Sequence, residues 1–176
     1  MRVWTFLFEK KGLTFNIQNT TFMSLKKLTI ALESLENHIE NYAVSNPKTS
    51  NANVGWHIDH SLKVINKVVA SLQSSDPKLY ANNFSFLGKV FFTLGFFPRG
   101  KAKAPKYVKP PEVILKKDLI SQTELAKDNI NTITELDKNA FFKHPIFGNV
   151  NTTRVTRFLI LHTNHHLKII NDILKH

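Results

Sequence analysis

The chain carries eight histidines and no cysteine. Three of those histidines crowd into one short run, HTNHH, at His162, His165 and His166, and two more sit in WHIDH at His57 and His60. Imidazole is the side chain best suited to bind a transition metal or to move a proton near neutral pH. Without thiols, a cysteine nucleophile, a thiolate zinc site and a disulfide framework are all excluded. HExxH, a P-loop, a G-x-S-x-G elbow and a dinucleotide fingerprint are also absent. The chemistry the sequence offers is therefore that of clustered imidazoles.

Residues four apart on a helix lie one turn apart on the same face. On a wheel of about 100° per residue, His162 and His166 share the face of Val155, Phe158, Leu159, Ile169 and Ile173. They point where a core belongs, with His165 at the edge of that face. Burying an unpaired polar ring costs roughly 1–3 kcal/mol. A backbone carbonyl can remove that cost for one ring, and a metal ion can remove it for both. In the WHIDH helix, His57 falls inside the apolar arc beside Val64 and Val68, whereas His60 falls on the side of Lys63 and Lys67. Position favours His57 as the third ligand, and the short spacing keeps His60 as the alternate. Three histidines with open positions suit one zinc, nickel, iron or manganese ion, at which a thiol or water becomes a nucleophile. Asp59, His60, His165 and Asn164 are candidates to orient a ligand ring. No catalytic acid or base and no cosubstrate site can be named.

Those rings need rigid elements beneath them. Leu25, Leu28, Ala31, Leu32, Leu35 and Ile39 mark a first helix with Ser24 as its N-cap, ended by Asn46-Pro47. Ile58, Leu62, Ile65, Val69 and Leu72 mark a second, over 53–74, closed by the run Ser74 to Pro77. A phenylalanine-rich stretch over 78–97 predicts one or two short buried helices. The prolines and lysines from Arg99 to Lys109 predict a long basic loop. A further helix fits about 111–139, residues 141–151 read as a loop, and the last helix starts near Asn151 or Thr152. No strand alternation of useful length is present. The class predicted is all-α, a four-helix bundle with additional short helices and that basic loop.

VGWHIDHSLKVI on the second helix, LHTNHHLKII on the last and the HPIFGNVNTT segment before it, in that order, resemble the DinB/YfiT-like family, and the last stretch is close to an uncharacterised DinB-related branch. The resemblance covers about Met23 to the end. It implies a four-helix bundle with three histidine ligands near one end; carried over by position, these are His57, His162 and His166. It also implies one divalent metal ion and, often, a homodimer. Relatives in that family include thiol S-transferases that use low-molecular-weight thiols, a thiol-dependent isomerase and proteins assigned as metal-dependent hydrolases. The neighbouring His60 and His165 depart from the family's simpler pattern. The expected function is a metal-dependent thiol S-transferase or hydrolase, against the alternative of a metal-stabilised binding or sensing module without chemistry.

The bulk properties constrain the rest. With 176 residues, 42% hydrophobic and 21% charged, the chain is long enough for one domain with a real core. Residues 1–22 are expected to be a disordered or non-native extension, leaving 23–176 as the domain. The formal net charge of +11 is spread along the chain with no nucleic-acid module beside it, so nucleic acid is not the expected partner; a small-molecule substrate is, and the family resemblance makes it a low-molecular-weight thiol. No apolar run approaches the ~20 residues of a membrane span, and lack of cysteine suits a reducing cytoplasm.

Overall fold

The computed structural model describes residues 23–100 and 105–175. The extension expected at 1–22, and Lys101 and Lys103 of the basic loop, lie outside them. The described chain is mostly helical: α1 over 23–36, α2 Val54–Ser74, α3 Phe86–Leu94, α4 Lys116–Thr132 and α5 Thr152–Leu174, with short 3-10 turns between several of them. No described helix is long and apolar enough to cross a membrane. The stripe read from the sequence on α1 is buried at Leu28, Ala31, Leu32, Leu35 and Ile39. Ser24 is already helical and so is not the N-cap. α2 packs against both α4 and α5, which places its apolar face at the centre of the core. Ion pairs from Lys127 to Glu36 (2.8 Å) and from Lys116 to Glu40 (2.6 Å) link α4 to α1 and the turn after it.

The start of α2 is fixed by three backbone donors. The Asn53 side chain accepts from the Trp56 N–H at 2.8 Å. The Val54 and Gly55 N–H groups donate to the carbonyls of Val44 and Tyr42 at 2.9 and 2.8 Å. A Cβ on Gly55 would lie 2.8 Å from that Tyr42 oxygen, so only glycine lets the returning chain sit this close to the helix end. Trp56, His57 and His60 follow at once, and their placement inherits the rigidity of this junction.

The all-helical expectation fails at 141–151. The segment read as a loop is a hairpin, β1 Phe141–His144 antiparallel to β2 Gly148–Asn151, with Phe141 opposite Asn151 and His144 opposite Gly148. Its strands are too short for alternation to show in the sequence. The legible signal was the turn chemistry: Pro145 opening a three-residue connection, then Gly148 in the left-handed region at φ 74°, the usual partner of a short type I turn. His144 completes it, because its Nδ1 accepts from the N–H groups of Ile146 (3.2 Å) and Phe147 (3.1 Å).

Two predictions arise here. A Cβ on Gly148 would lie 2.5 Å from the Asn83 carbonyl oxygen and carry the strain of positive φ. Gly148→Ala is expected to cost about 2–4 kcal/mol in urea unfolding; a loss under ~0.5 kcal/mol would show that the turn relaxes without cost. His144 is the second case. Burial lowers its pKa from 6.5 to about 4, and a proton on Nδ1 would also displace both backbone donors. The folded state thus holds the neutral ring, and the contribution is complete above pH 6.5 and lost as pH falls toward 4. Between pH 7.5 and 5, His144→Asn, which keeps an acceptor but does not titrate, should lose about 2 kcal/mol less stability than the parent chain. Parallel pH profiles for the two chains would contradict this.

Candidate metal centre

Three imidazoles converge between α2 and α5. The His60, His162 and His166 rings present nitrogens all within 4.8 Å of one another. Their centroids lie 5.1 Å (60 to 162), 4.8 Å (60 to 166) and 4.7 Å (162 to 166) apart. This cluster could hold a metal ion. The sequence pattern put His162 and His166 on one core-facing surface, and there they are. It put His60 outside the apolar arc of α2, and that is overturned: His60 is 5% exposed. The 3-10 turn Lys106–Val108 covers that side of the helix, and the His60 Nδ1–H donates to the Val108 carbonyl at 2.8 Å. A wheel drawn on α2 alone cannot see a cover supplied from a distant loop.

His57 is buried too, but it stands behind the cluster. Its Nδ1 lies 3.0 Å from Nδ1 of His166, and its Nε2 lies 3.1 Å from the Ser50 hydroxyl. Both of its nitrogens are engaged away from His60 and His162. The residue of α2 that shares a nitrogen cluster with His162 and His166 is therefore His60, and the residue that braces His166 is His57.

The hydrogen bonds assign which nitrogens are free. A carbonyl only accepts, so His60 carries its proton on Nδ1 and presents a bare Nε2. His166 can present Nε2 only if its own Nδ1–H donates to His57, which then donates from Nε2 to Ser50. In His162, Nδ1 is buried with no hydrogen-bond partner among the described residues. An orphaned buried imidazole nitrogen beside two oriented ones is the donor set a divalent ion requires, and the residues present fit such an ion.

Burial also keeps these rings neutral. Desolvation, reinforced by neighbouring imidazoles, holds His162 and His166 well below the ordinary histidine range. It lowers His57 to about 4 and lowers His60 despite the opposing bond to Val108. Neutral rings are the metal-ligating form.

The remaining candidates have other partners. Asp59 is 3% exposed and faces α4, with one oxygen 2.7 Å from the Lys63 ammonium and the other accepting from Gln122 at 2.9 Å. The His165 Nδ1–H donates to the Phe97 carbonyl at 3.0 Å and so holds the chain that follows α3. Asn164 is exposed. Two groups escaped the sequence reading. Trp56 stacks on His60, with centroids 5.1 Å apart and planes at 25°, and Ser50 closes the chain behind His57. WHIDH itself advertised the tryptophan; nothing marked the serine.

The cluster opens onto a cavity of about 870 Å³. Phe91, Phe97, Phe142, Phe147 and Phe158 wall it, Trp56 and Val108 flank the histidines, and the exposed Lys67 and Lys143 reach it from α2 and β1. No aspartate or glutamate is among its described lining residues. Of the phenylalanines read as buried over 78–97, Phe84 and Phe92 are core and Phe91 and Phe97 wall the cavity, but Phe86 and Phe96 are exposed, because only one face of the short α3 meets the rest of the chain. No family model matches the chain, and neither a curated protein nor a solved structure matches it.

Proposed function

We propose that the protein is a divalent-metal-dependent enzyme of the thiol S-transferase type, with His60, His162 and His166 as ligands. The observation that carries this reading is the meeting of three neutral imidazoles, two of them oriented by hydrogen bonds, with a wide apolar cavity that no carboxylate of the described residues lines. Bound there, a divalent ion would lower the pKa of a thiol held at its open position. The hydrolase alternative needs a general base near the histidines, and Asp59, the nearest buried carboxylate in sequence, is turned to Lys63 and Gln122. The resemblance to the DinB/YfiT-like family supports the same reading, including four long helices arranged as that family's bundle.

This chain's own residues have separate tasks in that reading. Val108 and His57 fix the rings of His60 and His166 so that Nε2 faces inward. The phenylalanine walls exclude water from a soft nucleophile and receive an apolar electrophile. Lys67 and Lys143 draw an anionic cosubstrate toward the opening. In the transfer itself the thiol sulfur forms the new carbon–sulfur bond, the leaving group departs with the electron pair of the broken bond, and the thiol proton passes to solvent.

The test is conjugation of a cysteinyl thiol to 1-chloro-2,4-dinitrobenzene, which releases chloride. The zinc-, nickel- or manganese-loaded chain should exceed the solution rate, and His162→Ala should not. A chain that binds metal yet accelerates neither conjugation nor ester hydrolysis is a binding or sensing module instead.

A further inference from the structure

The cavity constrains its occupant in three ways. Its volume of about 870 Å³ is in the range of pockets that enclose a drug-sized organic molecule, about 300–1,000 Å³, and is far more than a water or a small thiol fills. Its walls at Leu87, Phe91, Phe97, Phe147 and Phe158 offer little hydrogen bonding, so the body of the occupant is apolar. Rings packed as Phe91, Phe97 and Phe147 are, with centroids 5.6–6.1 Å apart, favour an aryl group over a chain.

The third constraint is charge. Three neutral imidazoles leave a divalent ion with its full charge. No described residue lining the cavity is a carboxylate that could offset it, and Lys67 and Lys143 add charge of the same sign. Neither lysine makes an ion pair with a described residue. A cation beside apolar walls interacts strongly with whatever anion enters, because little water screens it. We infer that the cavity takes an aryl-bodied monoanion, its charged end at the three histidines and its rings against the phenylalanine wall. This rests on the metal reading above and adds to it the class of molecule admitted.

The experiment is calorimetric titration of the full chain, zinc-loaded and zinc-stripped, with 2-naphthylacetate, its neutral amide and plain acetate. The zinc-loaded chain should bind the naphthyl acid one to one, at least tenfold tighter than either the amide or acetate. Stripping the zinc should abolish the preference for acid over amide. Leu87→Glu, at a wall position 44% exposed and so tolerant of substitution, should weaken the acid at least fivefold while zinc stoichiometry stays intact. Equal binding of acid and amide by the zinc-loaded chain would overturn the charge assignment. Equal binding of acetate and the naphthyl acid, or none of either, would overturn the aryl assignment. A chain that takes up no zinc, nickel or manganese would instead overturn the metal reading and this inference with it.

Discussion

His162→Ala is expected to abolish metal uptake while leaving the metal-free chain folded. In the parent chain, zinc at about a thousand times its Kd should stabilise the folded state by about 4 kcal/mol, or about 8–16 °C in Tm for a chain of this size. The variant keeps two ligands in place of three, and the same zinc should leave its Tm within about 2 °C of the metal-free value. Metal-free, the two chains should melt close together, for a reason peculiar to this ring. His162 is partly buried, and its Nδ1 is fully enclosed with no partner among the described residues, so its removal relieves a desolvated polar group as well as deleting contacts. It also borders an existing cavity, so truncation enlarges an opening rather than creating a sealed void. Thermal melts with and without zinc, beside elemental analysis, read both effects. An unchanged zinc shift in the variant would exclude His162 as a ligand.

What was legible in the sequence follows the range over which each signal acts. The α5 face carrying Val155, Phe158, Leu159, His162, His166, Ile169 and Ile173 could be drawn in full, because helix phase is local and the periodicity runs unbroken. The start of α2 was legible for the same reason, read at about 53 and found at Val54. The choice between His57 and His60 was not. It depends on which loop covers α2, and Val108 reaches His60 from a proline-rich stretch whose path no periodicity reports. The hairpin was hidden by the shortness of its strands, although Pro145 and Gly148 encode its turn. The paired partners of Asp59 belong to another turn of α2 and to α4, and only packing brings Gln122 to it. The cavity is the least legible feature, since a phenylalanine facing a cavity and one facing a core look alike in sequence.

His57 supplies the second large effect, and its sign separates a ligand from a brace. If His57 orients His166, the change His57→Phe removes the acceptor for the His166 Nδ1–H and frees that ring to rotate or to switch tautomer. Zinc affinity should then fall about 10–100-fold without loss of the site, the usual consequence of losing a partner behind a metal-bound imidazole. His57→Gln, whose amide oxygen can accept the same proton, should recover much of that loss. His60→Ala should be more severe than either, because it removes a nitrogen from the cluster itself. Long-range proton–nitrogen NMR correlations offer a readout that general destabilisation would not move. In the zinc-loaded parent chain His166 should carry its proton on Nδ1, and in His57→Phe that signal should broaden or shift to a mixture of tautomers. The reverse ranking, with zinc lost in His57→Phe and kept in His60→Ala, would make His57 the ligand. The bond from His60 to Val108 would then be a tie that only anchors the loop, and the α2 wheel would have pointed to the right ring after all.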